Sequence, residues 1–347
     1  MFPYILVLFF VVCTIYLGQK SNKVNLVIIP ILLLTLLAGL RDRYVGTDTW
    51  TYTQPFNPNY DNTTLVLDAN VEYGYQIFVY LINYLTNEYY WYLFIMALIT
   101  VILMILAIRK YSIDYLLSIY IYITFGFYTF LFNTVRQAIA LAILFYGVKF
   151  FLEKKLLKYI LVVFIASLFH ISAWVMLPFY FFIHFKLRVE LKVAFTFISS
   201  LLASSVVIKY LSANNQRYEH YTQTSENAGG YLLLIFYSII ALALYVFGRN
   251  LRENNKSYNL LEQLYFCGLV FVIPITLLGT DPSGPQRVLY NFSVYLILLI
   301  PLVIKDKFNQ LGYKILFYIL GFVYFMMMTY SLYGIYPYEL NDKFRIF

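Results

Sequence analysis

The residues of this chain best suited to chemistry are arginines placed at the edges of apolar runs. Arg41 and Arg43 follow one such run in "AGLRDRYVGTDTW", and Arg136 lies in "FLFNTVRQAIALAI" beside Asn133 and Gln137. Arg217 falls in the polar stretch "SANNQRYEHYTQTSENAGG", and Arg287 follows a Pro/Gly-rich turn in "GTDPSGPQRVLYNF". Arginine offers a planar fork that grips phosphate through two parallel hydrogen bonds and stays charged, whereas lysine is a mobile, strongly hydrated point charge. Arginines beside apolar helices therefore point to an anion held at a membrane surface. Arg136 is the sharpest case, because an ionisable residue at such depth as a rule faces a cavity. Snorkelling, or pairing with a carboxylate, is the structural alternative. Backbone N–H groups at the helix start near Arg287 would add donors for the same anion. The loop around Arg217 fits either a cover over a substrate or an ordinary solvated connection.

Two groups could move a proton. His170 interrupts an apolar hairpin in "ASLFHISAW", where an imidazole could act as general base or donate to a phosphate oxygen, with Ser172 free to cap the break. Asp48, in "VGTDTW", follows a glycine suited to a tight turn and precedes aromatic residues; it could accept a proton from an attacking hydroxyl, or simply make an Asx turn or pair with Arg41 or Arg43. Asp42, between two arginines, reads as their charge partner. Tyr44, Trp50, Tyr52 and Tyr73 could stack on sugars, although aromatic enrichment is also a property of membrane interfaces. Phosphate-binding P-loops, dinucleotide fingerprints, nucleophile elbows and H-E-x-x-H zinc sites are absent from the sequence. Three widely separated histidines weaken any metal site, so no metal and no cofactor is expected.

The elements that must hold these residues are set by composition. The chain has 347 residues, 62% hydrophobic and 12% charged, with a mean hydropathy of +0.72, which makes lipid its natural solvent. At roughly 20 residues per crossing, about ten to twelve transmembrane helices are expected in a single all-α, polytopic domain spanning 1–347. The net charge of +8 sits in short clusters between apolar runs, a pattern that suits cytoplasmic loops and not nucleic acid. Placing those lysine-rich gaps inside puts 41–90 outside, with 73–90 as an interfacial helix, and makes 212–230 a second external loop. It also requires 157–185 to fold back as a re-entrant or broken hairpin, puts both termini outside and leaves Arg41, Arg43, Arg136, Arg217, Arg287 and Arg345 external, against the usual trend. The first apolar segment reads as a retained helix, lacking a basic n-region. Cys13 and Cys267, both inside apolar runs, read as packing residues.

With these residues assembled, the chain resembles the EpsG-like group of Wzy-type bacterial polysaccharide polymerases (O-antigen, capsule and exopolysaccharide). The resemblance rests on "GLRDRYVGTDTWTY", "EYGYQIF", "FNTVRQAIALAI", "LFHISAW" and "QRVLYNF", in that order over residues 39 to 292. It implies an inverting glycosyltransferase of GT-C-like architecture in the bacterial cytoplasmic (inner) membrane, with its active site on the external, periplasmic side. Such an enzyme would transfer a growing glycan from undecaprenyl pyrophosphate to an undecaprenyl pyrophosphate-linked repeat unit, without a metal. A chain-length regulator protein and membrane lipids would be its partners. In that picture Arg136 and Arg287 clamp the donor pyrophosphate, Arg41, Arg43 and Arg217 complete the anion site, and His170 or Asp48 is the base. A flippase or other transporter of lipid-linked oligosaccharide would also want a basic cavity, although internal repeats and midplane sites would then be expected. An O-antigen ligase would share the pyrophosphate chemistry, and a membrane O-acyltransferase would use the histidine without needing so many arginines.

Overall fold

The computed structural model describes residues 1–21, 27–57, 66–214, 230–278, 284–331 and 334–344. Among these the regular elements are helices, with one isolated antiparallel bridge between Arg41 and Leu340. This is the expected all-α, multi-pass membrane protein. Two compact units form: residues 1–147, 164–171 and 309–347 make unit 1, and residues 148–163 and 172–308 make unit 2.

Unit 1 begins with helices α1 (Phe2–Ser21), α2 (Ile28–Gly39), the short α3 (Thr49–Thr53), α4 (Tyr73–Leu85), α5 (Tyr89–Tyr111), α6 (Tyr115–Thr124), α7 (Phe130–Asn133) and α8 (Val135–Tyr146). α5 is its spine. At about 1.5 Å per residue its 23 residues cover the hydrocarbon thickness of a bilayer. Arg109 and Lys110 in its last turn complement the helix dipole. α2 and α8 pack on α5, and α1 packs on α2 and α6. The Asp114 carboxylate accepts the Leu117 N–H at 3.0 Å and starts α6. α4 is two-faced: Tyr75, Val79 and Ile82 are buried on one face, while Tyr73, Ile77, Leu81 and Tyr84 are exposed on another.

In unit 2, α9 (Val148–Leu152) is followed by α10 (Leu156–Ser167), whose last turn belongs to unit 1. A break at 168–170 leads through a 3-10 turn (Ile171–Val175) to α11 (Met176–His184). Tyr159 stacks on Tyr180 with ring centroids 5.1 Å apart, and Phe151 meets His184 at 5.0 Å, so the chain does fold back on itself as a broken hairpin. α12 (Val189–Asn214), α13 (Tyr231–Phe247) and α14 (Arg249–Asn254) surround α15 (Lys256–Leu277), followed by α16 (Tyr290–Ser293) and α17 (Leu296–Lys307). Two basic residues, Lys192 and Arg252, are built into this core. The Lys192 ammonium donates to the Ile183 carbonyl and Gln263 Oε1, both at 2.6 Å, and Arg252 grips the fully buried Glu262 at 2.5 and 2.9 Å. Cys267 is buried and Cys13 partly so, and neither is in a disulfide.

α18 (Leu311–Ser331) returns to unit 1 against α6, leaving Leu316, Ile319, Leu320, Val323 and Met327 exposed as a face suited to lipid. Among the described residues, α1, α5, α15 and α18 are long and apolar enough to span a membrane, or five spans if the bent pair 285–293 and 296–307 counts as one. Six further apolar helices run 10–17 residues. Part of the difference from ten to twelve spans has a local cause. Glycine and polar residues divide single apolar runs: 113–131 becomes α6 and α7 across Gly126 (φ +89°), and 288–304 becomes α16 and α17 with a 44° bend.

Candidate active site

The landmark motifs of unit 1 converge at one end of it. Arg41 is fully buried, and its guanidinium is spent on the fold. Nη1 donates to the Ala38 carbonyl, Nε to Val45 O at 3.3 Å, and Nη2 to Phe132 O at 3.3 Å and Thr49 Oγ1 at 3.5 Å, with the plane 4.6 Å from the Phe132 ring. Burial pushes its pKa down to about 10, so it stays charged at neutral pH. Arg43 points elsewhere. Its guanidinium lies 4.3 Å from the Tyr89 ring and 5.3 Å from Trp50, and Trp50 is stacked on the exposed Tyr44 at 5.2 Å and 11°. Asp42 is not the ion-pair partner of either arginine. Its carboxylate accepts the Tyr44 N–H at 2.9 Å and the Tyr89 hydroxyl at 3.3 Å, because the turn folds Asp42 back onto its own backbone.

The glycine of "VGTDTW" does what its position suggests. Gly46 has φ +103°, and a Cβ there would lie 2.6 Å from Phe132 O and 2.7 Å from Asn133 Oδ1. The neighbouring Thr47 N–H donates to Asn133 Oδ1 at 2.9 Å, and Thr49 Oγ1 donates to Phe132 O at 2.9 Å. "FNTVR" is thus the platform on which the 41–49 turn rests. Asp48, partly buried ahead of α3, accepts the Thr47 hydroxyl at 3.0 Å.

Arg136 begins the first turn of α8 and is 4% exposed. Its Nη1 meets Glu72 Oε2 at 2.5 Å, and the guanidinium lies 5.3 Å from the Tyr75 ring and 5.8 Å from Tyr52. The other oxygen of Glu72 accepts the Ile171 N–H at 3.1 Å, next to half-buried His170. Glu72 therefore ties the arginine to the backbone at the break that carries the histidine. The rest of "EYGYQIF" serves the same junction. Tyr75 N–H donates to Leu168 O at 2.9 Å, and a Cβ on Gly74 would lie 2.6 Å from Leu168 Cβ, so only glycine lets α4 approach so closely. Gln76 pins 68–71 through Asp68 and Val71, and the Tyr75 hydroxyl meets that of Tyr92 at 3.0 Å. Tyr73 is exposed. Beneath lies a core of Phe56, Tyr75, Tyr89, Tyr92, Val135 and Ile139, with Phe169 packed against it.

Sequence reasoning quoted Glu72 within its motif but gave it no role. The signal available was the need of a deeply placed Arg136 for a counter-charge. Arg287 belongs to unit 2, in a 3-10 turn (Pro285–Leu289) where its N–H donates to Gly284 O at 3.1 Å. Ser172 accepts the Asn291 amide at 3.2 Å through its carbonyl and 3.4 Å through its hydroxyl. Arg217, with Arg345, lies outside the described residues, as does most of the 212–230 loop. An apolar cleft of about 530 Å³ in unit 2, between α12, α13 and α15, has Glu190 as its charged lining residue and holds none of the residues singled out for chemistry.

The C-terminal tail completes this end of unit 1. Asp42 N–H donates to Glu339 O, Asn341 N–H to Leu40 O (both 2.9 Å), Gly46 N–H to Gly334 O (3.1 Å), and Lys343 pairs with Glu88. Tyr4 and Tyr338 hydroxyls cap Ile335 O and Leu37 O at 2.6 and 2.8 Å. α1, α5 and α18 thus carry Lys20, Lys110 and Lys314 to the opposite end from Arg41, Arg43 and Arg136. No curated protein and no solved structure matches the chain. The EpsG family model matches residues 24–340, a span that contains every landmark motif above. The chain belongs to the EpsG family, whose members are of the polysaccharide-polymerase type.

Proposed function

We propose that this protein is a lipid-linked glycan polymerase of the bacterial cytoplasmic membrane, with the arginine end of unit 1 facing outward. It transfers a growing glycan from undecaprenyl pyrophosphate to the terminal sugar of an undecaprenyl pyrophosphate-linked repeat unit. The observation that carries this reading is the junction of Arg136, Glu72 and the Ile171 N–H, which sets a buried guanidinium beside the break bearing His170. The placement of Lys20, Lys110 and Lys314 at the opposite end, with Lys343 the exception, supports the orientation.

In this reading the acceptor hydroxyl attacks the anomeric carbon of the donor while His170 takes its proton. The bond from that carbon to the pyrophosphate oxygen breaks with inversion, and its electron pair leaves with the pyrophosphate. Arg136 and Arg43 stabilise the charge that develops there. Arg41 braces the turn instead, since its donors already meet carbonyls. The stacked Tyr44 and Trp50, with Tyr52 and Tyr73, offer rings to sugars. Asp48 orients the 47–49 turn.

Reconstitution in vesicles with undecaprenyl pyrophosphate-linked repeat units tests the reading. A product ladder that is lost in folded Arg136→Lys supports it. Movement of the intact lipid across the vesicle without a ladder makes the protein a transporter and sinks the polymerase reading.

A further inference from the structure

We propose that Glu72 is an exchangeable counter-ion: it neutralises Arg136 in the resting protein, yields it to the substrate pyrophosphate, and reclaims it as the product pyrophosphate leaves. This rests on the pyrophosphate-binding role of Arg136 given above.

A buried guanidinium needs a negative partner at every stage of a cycle, because leaving it unpaired is costly. Among the described residues Glu72 is the only carboxylate paired with Arg136, at 2.5 Å. Its oxygen therefore stands where an anionic substrate oxygen would bind. Arg136 also keeps one donor in reserve: Nε is buried and has no acceptor. A single carboxylate oxygen on Nη1 leaves the Nε edge of the guanidinium unused, an edge on which a diphosphate oxygen can be accommodated.

Glu72 is built to move. It sits outside α4 in extended conformation (φ −62°, ψ 126°), and its side chain is 12% exposed. Tyr73 and Ile171, which flank its contacts, are each 53% exposed, so the pair lies just under the surface. Its second oxygen accepts the Ile171 N–H at 3.1 Å, a bond that can persist while the first is given up. A purely bracing carboxylate would add to the affinity for an anion by holding the site together. A competing one subtracts from it.

The test uses the full-length protein in detergent, titrated calorimetrically with undecaprenyl pyrophosphate, with each variant's melting temperature checked beforehand. Glu72→Gln keeps an acceptor for Ile171 but removes the charge. It is expected to bind undecaprenyl pyrophosphate about tenfold more tightly, the effect of losing one modest competing charge pair. It should also turn over slowly, held by its product. Arg136→Lys should bind weakly. If Glu72→Gln does not fold, Glu72→Asp carries the test, because the shorter acid retreats from Arg136 and should tighten binding in the same direction. Equal or weaker binding in the folded Glu72 variant, with binding still lost in Arg136→Lys, overturns the exchange and leaves the polymerase reading standing. Binding unchanged by Arg136→Lys overturns both.

Discussion

Arg41 and Arg43 stand two residues apart and meet different partners. Arg41 lies buried over Phe132 with its donors on backbone carbonyls, while Arg43 lies over Tyr89 and Trp50 beside the exposed Tyr44. Substitution should separate them. Arg41→Ala removes the guanidinium donors from the Ala38, Val45 and Phe132 carbonyls, of which the Thr49 hydroxyl can serve one at a time, and should cost about 3 kcal/mol. Its thermal midpoint in detergent should fall. Arg43→Ala should leave that midpoint close to wild type and weaken pyrophosphate-linked substrate about tenfold, as loss of one charge contact does. A lower midpoint for Arg43→Ala and not Arg41→Ala would reverse these roles.

Gly46 and Gly74 should fail in different ways. At Gly46 an alanine meets both a left-handed backbone and the Phe132 carbonyl, so Gly46→Ala should unfold the 41–49 turn at about 2–4 kcal/mol. Gly74 has ordinary φ but touches Leu168, so Gly74→Ala should push α4 away from the break at 168–170. Transfer activity should then drop further than stability does. Paired melting and activity measurements on the two variants distinguish these outcomes.

The stacked Tyr44 and Trp50 make few contacts that hold the fold, and both are exposed. Trp50→Ala should therefore raise KM for the acceptor about tenfold, the worth of one stacking contact, with kcat and melting temperature little changed. A KM that stays at the wild-type value removes this surface from sugar binding.

The tail from Gly334 to Phe344 covers the arginine turn through backbone pairing. Deleting residues 334–347 removes acceptors from the Asp42 and Gly46 amides. Hydrogen exchange at those amides should accelerate by at least tenfold, while the amides of α5 stay protected. Unchanged exchange at Asp42 and Gly46 would show that the tail contributes no protection.

Much of this architecture was legible in the sequence, because membrane burial leaves a coarse pattern. The apolar runs, the hairpin broken at His170, the two-faced character of α4 and the turn at Gly46 follow from hydrophobicity and backbone sterics. Helix count was less legible, since run length does not register a glycine or polar kink inside a run. The two arginines of "RDR" could not be told apart, because adjacent side chains in an irregular turn take directions set by residues far along the chain, here Phe132 and Tyr89. Glu72 was missed for a similar reason: its partner lies 64 residues away. Asp42 shows the converse, an acid between two arginines whose nearest donors are an amide and a tyrosine.

The central claim, that lipid-linked pyrophosphate is handled at the arginine end of unit 1, is tested most directly by photo-crosslinking. A photoreactive undecaprenyl pyrophosphate analogue with its label on the pyrophosphate would be bound to the reconstituted protein and its adducts mapped by mass spectrometry. Labelling at Tyr52, Glu72, Tyr75 or Ile171, suppressed by unlabelled lipid and lost in Arg136→Lys, is the result this account predicts. Labelling confined to the cleft lined by Val193, Phe197 and Phe266 in unit 2, and indifferent to Arg136, would contradict it.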